Sequence, residues 1–296
     1  MNALLGLEAT AGLDASALSL NFAVIPAGNY EIGARGLENN PLRIFGLDAF
    51  DLAKTPTTNA QLATGLQLLE ERNSVLMTPL AQNRWAVLAR GTMEEVRGIS
   101  LDRLREIIDE LVGQSRVERV GDLFVAGGLE AFDSATGSVG SARIIPVTLE
   151  AHLLQGFDRP KQPALTTPLE ATAVAALFGL ELPTGVQWEA AAGDLRDEKY
   201  RGVEELRRVA HFQPATATAD VGTREPNKFG LHDILGNVWQ AMSNRYEKGK
   251  EAREFRGGSW ADGHGLMRAA FRFYVDPDIW YNYRGFRLFR PHTSVG

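Results

Sequence analysis

The sequence predicts an irregular α+β fold with short β-strands and few helices, in one domain over residues 1–296. Three observations predict it. Hydrophobic residues make up 44% and charged residues 23%, as in folded globular proteins. Strand and helix patterns both occur before residue 192. Beyond Gly222, Gly, Asn, Asp and aromatic residues follow at close intervals, which is typical of a loop-rich core.

Residues 22–33 predict two strands joined by a turn at residues 26–29, because β-branched and aromatic residues flank turn formers there. We expect the two strands to form a hairpin. Residues 57–69 carry apolar side chains three and four positions apart, which predicts an amphipathic helix capped by Thr57 or Thr58.

Residues 69–162 have a different sequence character, and a family resemblance of the motifs on either side of them implies that they form an insertion in the domain. A capping box at residues 92–95 and apolar spacing after Ser100 predict two further helices within residues 92–112. Two roles remain open for this helical insertion: decoration that packs on the core, or a docking surface for other molecules.

Two more helices are predicted in the middle of the chain. Residues 168–178 have helical apolar spacing that stops at Gly179. Residues 182–192 begin another helix, with Thr184 as its cap.

The C-terminal part is rich in aromatic residues. Of 14 Phe, 6 Tyr and 5 Trp, ten lie between residues 255 and 289. Residues 284–290 predict a strand with Phe286 and Leu288 on one face, and residues 254–260 are its expected partner.

Residues 261–265 and 273–283 combine Tyr, Trp, Asp and Asn without helix or strand periodicity. This composition favours a recognition surface formed by residues 261–265 and 271–283. They lie within a candidate variable region at residues 253–290. A protein ligand suits such a broad aromatic surface with a polar rim. The candidate ligand-binding residues are Ala261, Asp262, Gly263, His264, Phe271, Phe273, Tyr274, Val275, Asp276, Asp278, Ile279, Trp280, Tyr281, Asn282 and Tyr283.

Charge and segment patterns exclude several classes. A net charge of −6 argues against nucleic acid as a partner. The N-terminal residues lack the basic-then-apolar order of a signal peptide, and no apolar run is long enough to span a membrane. We therefore expect a protein without membrane partners that is cytoplasmic, assembled into a particle, or exported without a signal peptide. No oligomeric state is predicted.

Several separated motifs resemble those of the formylglycine-generating-enzyme superfamily, in the same order. They include Leu-Pro-Thr-Gly at 182–185, Gly-Asn-Val-Trp at 236–239, Arg-Gly-Gly-Ser-Trp at 256–260 and Gly-Phe-Arg at 285–287. The resemblance implies a modified C-type lectin fold. Within it we expect scaffold roles for Trp188, Trp239, Gly257, Gly258, Trp260, Arg268, Arg272, Gly285, Phe286 and Arg287.

The chemistry of that superfamily does not transfer to this chain. Formylglycine-generating enzymes bind copper through two cysteines, and this chain has none. The related sulfoxide synthases use three histidines on iron, whereas the five histidines here are isolated: His152, His211, His232, His264 and His292. Some members bind calcium at a Gly-Asn-Val-Trp-Glu motif. Gln240 replaces that glutamate, so no cofactor is expected and calcium is left open.

One non-enzymatic branch fits better, the variable proteins of diversity-generating retroelements. In that branch a reverse transcriptase substitutes at adenines, and most candidate residues are reachable from Asn or Tyr codons. Trp280, Met267 and Trp260 are not reachable, which predicts that they are fixed. The resemblance therefore implies a ligand-binding display protein with a hypervariable surface, not an enzyme. Two alternatives stay open: a degenerate or non-cysteine enzyme of the superfamily, and a carbohydrate-binding module.

Overall fold

The computed structural model describes residues 16–71, 75–81, 84–89, 117–120, 123–126, 143–147, 157, 159–247, 252–275 and 281–292. Within these residues short strands in several small sheets alternate with a few helices, so the predicted α+β class is confirmed. None of the helices in this described part is long and apolar enough to cross a membrane.

The two helices on either side of the predicted insertion agree with their sequence patterns. Helix α1 spans Asn59–Glu71, and Thr58 caps it. The backbone N–H of Gln61 donates to Thr58 Oγ1 at 3.2 Å, and the Thr58 N–H donates to Gln61 Oε1 at 2.9 Å. Helix α2 spans Pro168–Leu177 and is followed by Gly179 at a φ of 69°. A left-handed glycine commonly ends a helix, because no Cβ opposes that conformation.

The next two helices are short. Helix α3 spans Gly185–Ala192 and is capped by Thr184 as predicted. The structure adds that Thr184 and Gln187 form a capping box. Helix α4 spans Val203–Val209. Between them lie two 3₁₀ turns at Gly193–Arg196 and Glu198–Arg201.

The N-terminal strands are present, but their predicted hairpin is wrong. Strand β1 at Phe22–Ile25 pairs with β4 at Phe50–Ala53, which also pairs with the C-terminal strand β14 at Phe289–Pro291. Strand β2 at Gly28–Ile32 pairs with β3 at Arg43–Leu47. The two predicted strands therefore belong to different sheets.

Five strands of the described residues lie within residues 69–162, the predicted insertion. Their bounds are β5 at Val75–Ala81, β6 at Arg84–Ala89, β7 at Val117–Val120, β8 at Leu123–Ala126 and β9 at Arg143–Val147. Strand β6 lies between β5 and β9, and β7 pairs with β8. The sequence patterns did not predict these strands. The predicted helices within residues 92–112 lie outside the described residues and stay a prediction.

A four-stranded sheet carries the C-terminal motifs, in the order β12, β11, β10, β13. Its strands are β10 at Trp239–Arg245, β11 at Arg253–Arg256, β12 at Phe273–Val275 and β13 at Arg284–Gly285. The predicted pairing of residues 284–290 with 254–260 is wrong, because β13 pairs in parallel with β10 instead. Strand β12 also lies in a segment that showed no strand periodicity.

Two hydrophobic clusters fill the core beneath these sheets. One surrounds Trp239 and Phe286, and the other surrounds Trp188 and Ile234; all four side chains are almost fully buried. The C-terminal sheet therefore lies directly on the core, with its outer rim at the surface.

Candidate functional site

The buried side-chain amide of Gln240 lies at the centre of one of the two polar clusters that support the site. Its Oε1 accepts hydrogen bonds from Trp188 Nε1 and Arg287 Nε, each at 2.9 Å. Its Nε2 donates to the backbone oxygen of Asp233 at 2.8 Å. We call Trp188, Asp233, Gln240 and Arg287 the glutamine cluster. Because these four residues come from distant parts of the chain, their hydrogen bonds fix the C-terminal strands against helix α3.

The charges of the glutamine cluster are fully buried. Burial lowers the pKa of Arg287 to about 9, with the nearby Asp233 charge opposing the shift, so the guanidinium stays protonated at neutral pH. Its NH1 and NH2 groups donate to the backbone oxygens of Ala53 and His232 at 2.7 and 2.6 Å. Burial also raises the pKa of Asp233, although a hydrogen bond from the Gly222 N–H favours its charged form.

A second group consists of the buried Glu189, Glu254 and Arg256 and the partly buried Arg272, and we call it the ionic cluster. Arg256 bridges the two carboxylates: its NH1 lies 3.0 Å from Glu189 Oε2 and its Nε lies 2.6 Å from Glu254 Oε1. Arg272 NH2 approaches Glu254 Oε2 at 2.6 Å. Glu189, Glu254 and Arg256 are each at most 2% exposed. This cluster joins α3, β11 and the segment before β12.

The electrostatics of Glu254 show how the ionic cluster is balanced. Burial alone would raise the pKa of Glu254, but the charges and hydrogen bonds of Arg256 and Arg272 outweigh it and hold that pKa below its ordinary value. The carboxylate is therefore ionised at neutral pH and stabilised in the fold.

Above these clusters, Asp262 anchors the first candidate loop. Its Oδ2 accepts from Trp239 Nε1 at 2.8 Å, from the Ser259 N–H at 3.0 Å and from Ser259 Oγ at 2.5 Å. The loop is tied on its other side by Gln213 Nε2, which donates to the oxygen of Ala261 at 2.6 Å. His264 and its neighbouring glycines stay exposed at the loop tip.

Exposed tyrosines dominate the rest of the surface. The side chain of Tyr274 is 56% exposed, and its ring lies 4.7 Å from the ring of Tyr246. Tyr281 is 40% exposed, and its ring lies 5.0 Å from that of Tyr283. The guanidinium of the buried Arg284 sits 4.1 Å from the centroid of Tyr281, within cation–π range.

Four of the described candidate residues contact Trp239: Asp262, Phe271, Phe273 and Tyr283. The rings of Tyr274 and Tyr281 lie next to those of Phe273 and Tyr283. Phe271 and Phe273 pack on the Trp239 ring at 6.1 and 5.1 Å between centroids. Val275 is buried, whereas Ala261, Asp262, Asn282 and Tyr283 are partly buried. We call residues 261–265, 271, 273–275 and 281–283 the candidate surface. Four candidate residues lie outside the described residues: Asp276, Asp278, Ile279 and Trp280.

Most of the residues assigned to the scaffold lie inside the fold. Trp188, Trp239, Gly257, Gly258, Gly285, Phe286 and Arg287 are buried. Trp260 is partly buried, and its Nε1 donates to the oxygen of Asn282 at 3.0 Å. Arg268 differs, because its side chain is exposed.

Sequence reasoning did not single out Glu189, Asp233, Glu254 or Arg256 as supports of this site. One signal was present: Glu254 and Arg256 are charged residues inside a short strand pattern next to the buried Gly-Gly bend. Alternate residues of a strand point to the same face, so two opposite charges at this spacing can pair.

At residues 236–240, the polar side chains that could contact a metal ion already have other hydrogen-bond partners. Among the described residues no group of three His, Asp or Glu side chains could hold a metal ion. At the motif where some superfamily members bind calcium, Gln240 Oε1 already accepts two hydrogen bonds, one from the cationic Arg287. The Asn237 amide is paired with the backbone of Ala219 at 3.0 and 3.1 Å. These two side chains therefore do not fit a calcium ion.

Comparison with known proteins identifies the family. Residues 14–292 match the sulfatase-modifying factor enzyme 1-like domain. The chain therefore belongs to the family of formylglycine-generating-enzyme-like proteins, as its motifs indicated.

Individual relatives include both enzymes and an inactive member. Hercynine oxygenase of Mycolicibacterium smegmatis is 29% identical over 155 residues, which are 41% of this chain and 36% of that protein. Inactive C-alpha-formylglycine-generating enzyme 2 of Mus musculus is 33% identical over 119 residues, 34% of this chain and 39% of that protein. The chain thus aligns with less than half the length of these curated relatives.

Solved structures resemble the whole chain. PvdO from Pseudomonas aeruginosa gives a TM-score of 0.55 at 16% identity, covering 92% of this chain and 94% of PvdO. Treponema denticola variable protein 1 gives 0.50 at 17% identity, covering 92% of this chain and 95% of that protein. These likenesses establish the C-type lectin-like fold of the family.

Proposed function

We propose that this chain is a non-enzymatic display protein whose C-terminal surface is diversified by a retroelement and binds protein ligands. The observation that carries the proposal is the pair of exposed tyrosines, Tyr274 and Tyr281, above a framework of internally paired charges. Tyrosine supplies large contact area at low entropic cost, which suits protein recognition. The likeness in fold to a variable protein supports the same reading.

The exposure of individual residues agrees with the pattern expected from substitution at adenines of Asn and Tyr codons. Tyr274, Tyr281 and His264 are exposed, and their codons are reachable by adenine substitution. Met267, which is not reachable, is buried against Gly258, and the unreachable Trp260 holds the oxygen of Asn282. Positions that vary would then lie on the surface, and positions that the fold needs would stay constant.

The absence of cysteine supports a non-enzymatic role, because copper-dependent oxidation in the superfamily needs two thiolates. Three described histidines are paired separately. His211 Nε2 contacts the oxygen of Ala217 at 3.0 Å, His232 Nδ1 that of Arg224 at 2.8 Å, and His292 Nδ1 contacts Asp51 Oδ1 at 2.7 Å.

Deep sequencing of the 3′ end of the gene in a growing population tests the proposal. Two asparagines form a matched pair, because Asn codons always contain adenines: Asn282 on the candidate surface, and the buried Asn237. We expect substitutions at adenines of the Asn282 codon and none at Asn237 or at residues 257–260. Uniform codons throughout residues 261–283 would contradict diversification.

A further inference from the structure

An open groove of about 260 Å³ lies beside the candidate surface and shares Phe271 with it. Three segments form it: residues 33–37, residues 195–201 and residues 267–271. Four cationic side chains line the groove, and one carboxylate, Asp197, joins them among the described lining residues. The four are Arg35, Arg196, Arg201 and Arg268.

One of these arginines is held in place from below. Arg196 NH2 donates to the oxygen of Gly33 at 2.9 Å, and its Nε lies 3.5 Å from Oε1 of the buried Glu189. The same Glu189 oxygen accepts from the Gly33 N–H at 2.7 Å. Gly33 has a φ of 87°, and a Cβ there would collide with the Pro41 oxygen. The loop and the guanidinium are therefore fixed relative to each other.

The positive charge of the groove is only partly neutralised. Arg35 and Arg268 are exposed, and neither side chain has an ion-pair partner among the described residues. Arg201 pairs with Glu198 at 2.6 Å, but both side chains are more than half exposed, so solvent weakens that pair.

The buried charges beneath the groove do not cancel this excess. Three arginines, Arg196, Arg256 and Arg272, share the two carboxylates Glu189 and Glu254. The groove is thus a positive region in a chain whose net charge is −6. Focused charge of this kind attracts anions locally despite the opposite overall sign.

We propose that the groove binds a small ligand that carries at least two oxyanion groups, either carboxylates or phosphates. A guanidinium presents paired N–H donors that match the two oxygens of such groups. The volume admits a small molecule, and Leu195 and Phe271 supply apolar contacts at its wall. The proposed site uses arginines and none of the tyrosines of the candidate surface. The groove proposal can therefore be tested independently of the display function.

Titration calorimetry at constant ionic strength tests the proposal with two probes in separate arms, inorganic pyrophosphate and tricarballylate. We expect saturable binding of at least one probe, which also identifies the preferred oxyanion. The double variant Arg35→Gln, Arg268→Gln should bind that probe at least about tenfold more weakly, because two charge-assisted contacts are lost. Both side chains are exposed, so the variant should fold, and its thermal unfolding curve verifies this.

The matched control is Arg224→Gln, which removes one charge at an exposed position away from the groove. Its affinity should stay within about twofold of the unsubstituted protein, since distant exposed charges are screened. The proposal is overturned if neither probe binds saturably, or if the control and the double variant lose affinity equally.

Discussion

Residues 253–260 and residues 261–283 are neighbours in the chain but use polar side chains in opposite ways. In the first region Glu254 and Arg256 are each 2% exposed and satisfy each other inside the fold. In the second, Tyr274 and Tyr281 turn their rings outward. We therefore expect stability to depend on groups that a ligand cannot reach, and the outer groups to tolerate substitution.

The boundary between the two regions runs through the first loop of the candidate surface. Asp262 is reachable by adenine substitution, yet it accepts hydrogen bonds from Trp239 and Ser259. It belongs to both regions, and substitutions there should affect folding more than those at His264, which is exposed.

The largest loss of stability is expected for Glu254→Ala in the buried region. Arg256 and Arg272 would lose their shared partner, and removing one member of a buried ion pair costs about 3–5 kcal/mol. Denaturant unfolding measures the loss. The control is Glu225→Ala, which removes an exposed partner of Arg208 and should leave the unfolding midpoint unchanged. Equal midpoints for the two variants would contradict the assigned role of Glu254.

The next largest difference in stability between the two regions is expected at two glycines, Gly257 and Gly265. Gly257 has a φ of 97°, and an added Cβ would lie 2.5 Å from the Ile234 oxygen. Gly257→Ala should cost about 2–4 kcal/mol through strain and overpacking. Gly265 has open space around it, so Gly265→Ala should change stability little. Thermal unfolding of both variants checks the contrast, which fails if Gly257→Ala is tolerated.

The pH dependence of stability tests whether Glu254 of the ionic cluster is ionised in the folded protein. Because the pKa of Glu254 is lowered in the fold, its stabilisation is present above the ordinary glutamate value, about 4.3, and is lost as the pH falls through the folded pKa. Glu254→Gln should destabilise by about 1.5–3 kcal/mol at pH 7. That difference should shrink below about pH 4. Denaturant unfolding at several pH values measures it, and a constant difference would argue against an ionised Glu254.

The smallest effect is expected at the exposed rings. Tyr274→Ser and Tyr281→Ser should each cost about 0.5–1.5 kcal/mol, because each removes one ring from an aromatic pair at the surface. Calorimetric melting measures this. A loss as large as that of Gly257→Ala would show that the tyrosines are part of the framework.

The local elements were largely predictable from the sequence, whereas strand pairing was not. The capping box of Thr184 and Gln187 lies within four residues, so the pattern itself encodes it. Strand β1 instead pairs with β4, which in turn pairs with β14 near the other end of the chain. Such partners are chosen by tertiary packing, and no local pattern near residues 22–33 reveals them.

The candidate site was likewise predictable from the sequence only in part. Aromatic and small polar residues marked the candidate surface because composition alone distinguishes it. The link from Glu189 to Arg256 joins residues 67 positions apart, so it emerges only in the folded chain. The exposure of Arg268 was hidden for the same reason, because it lies only four positions before Arg272, which is partly buried.

A mutational scan of residues 253–290 with a folding-dependent display readout tests the central claim most directly. The account predicts broad tolerance at His264, Tyr274 and Tyr281, and almost none at Glu254, Arg256 and Gly257. A profile in which the exposed positions are as sensitive as the buried ones would contradict the separation of a fixed framework from a variable surface.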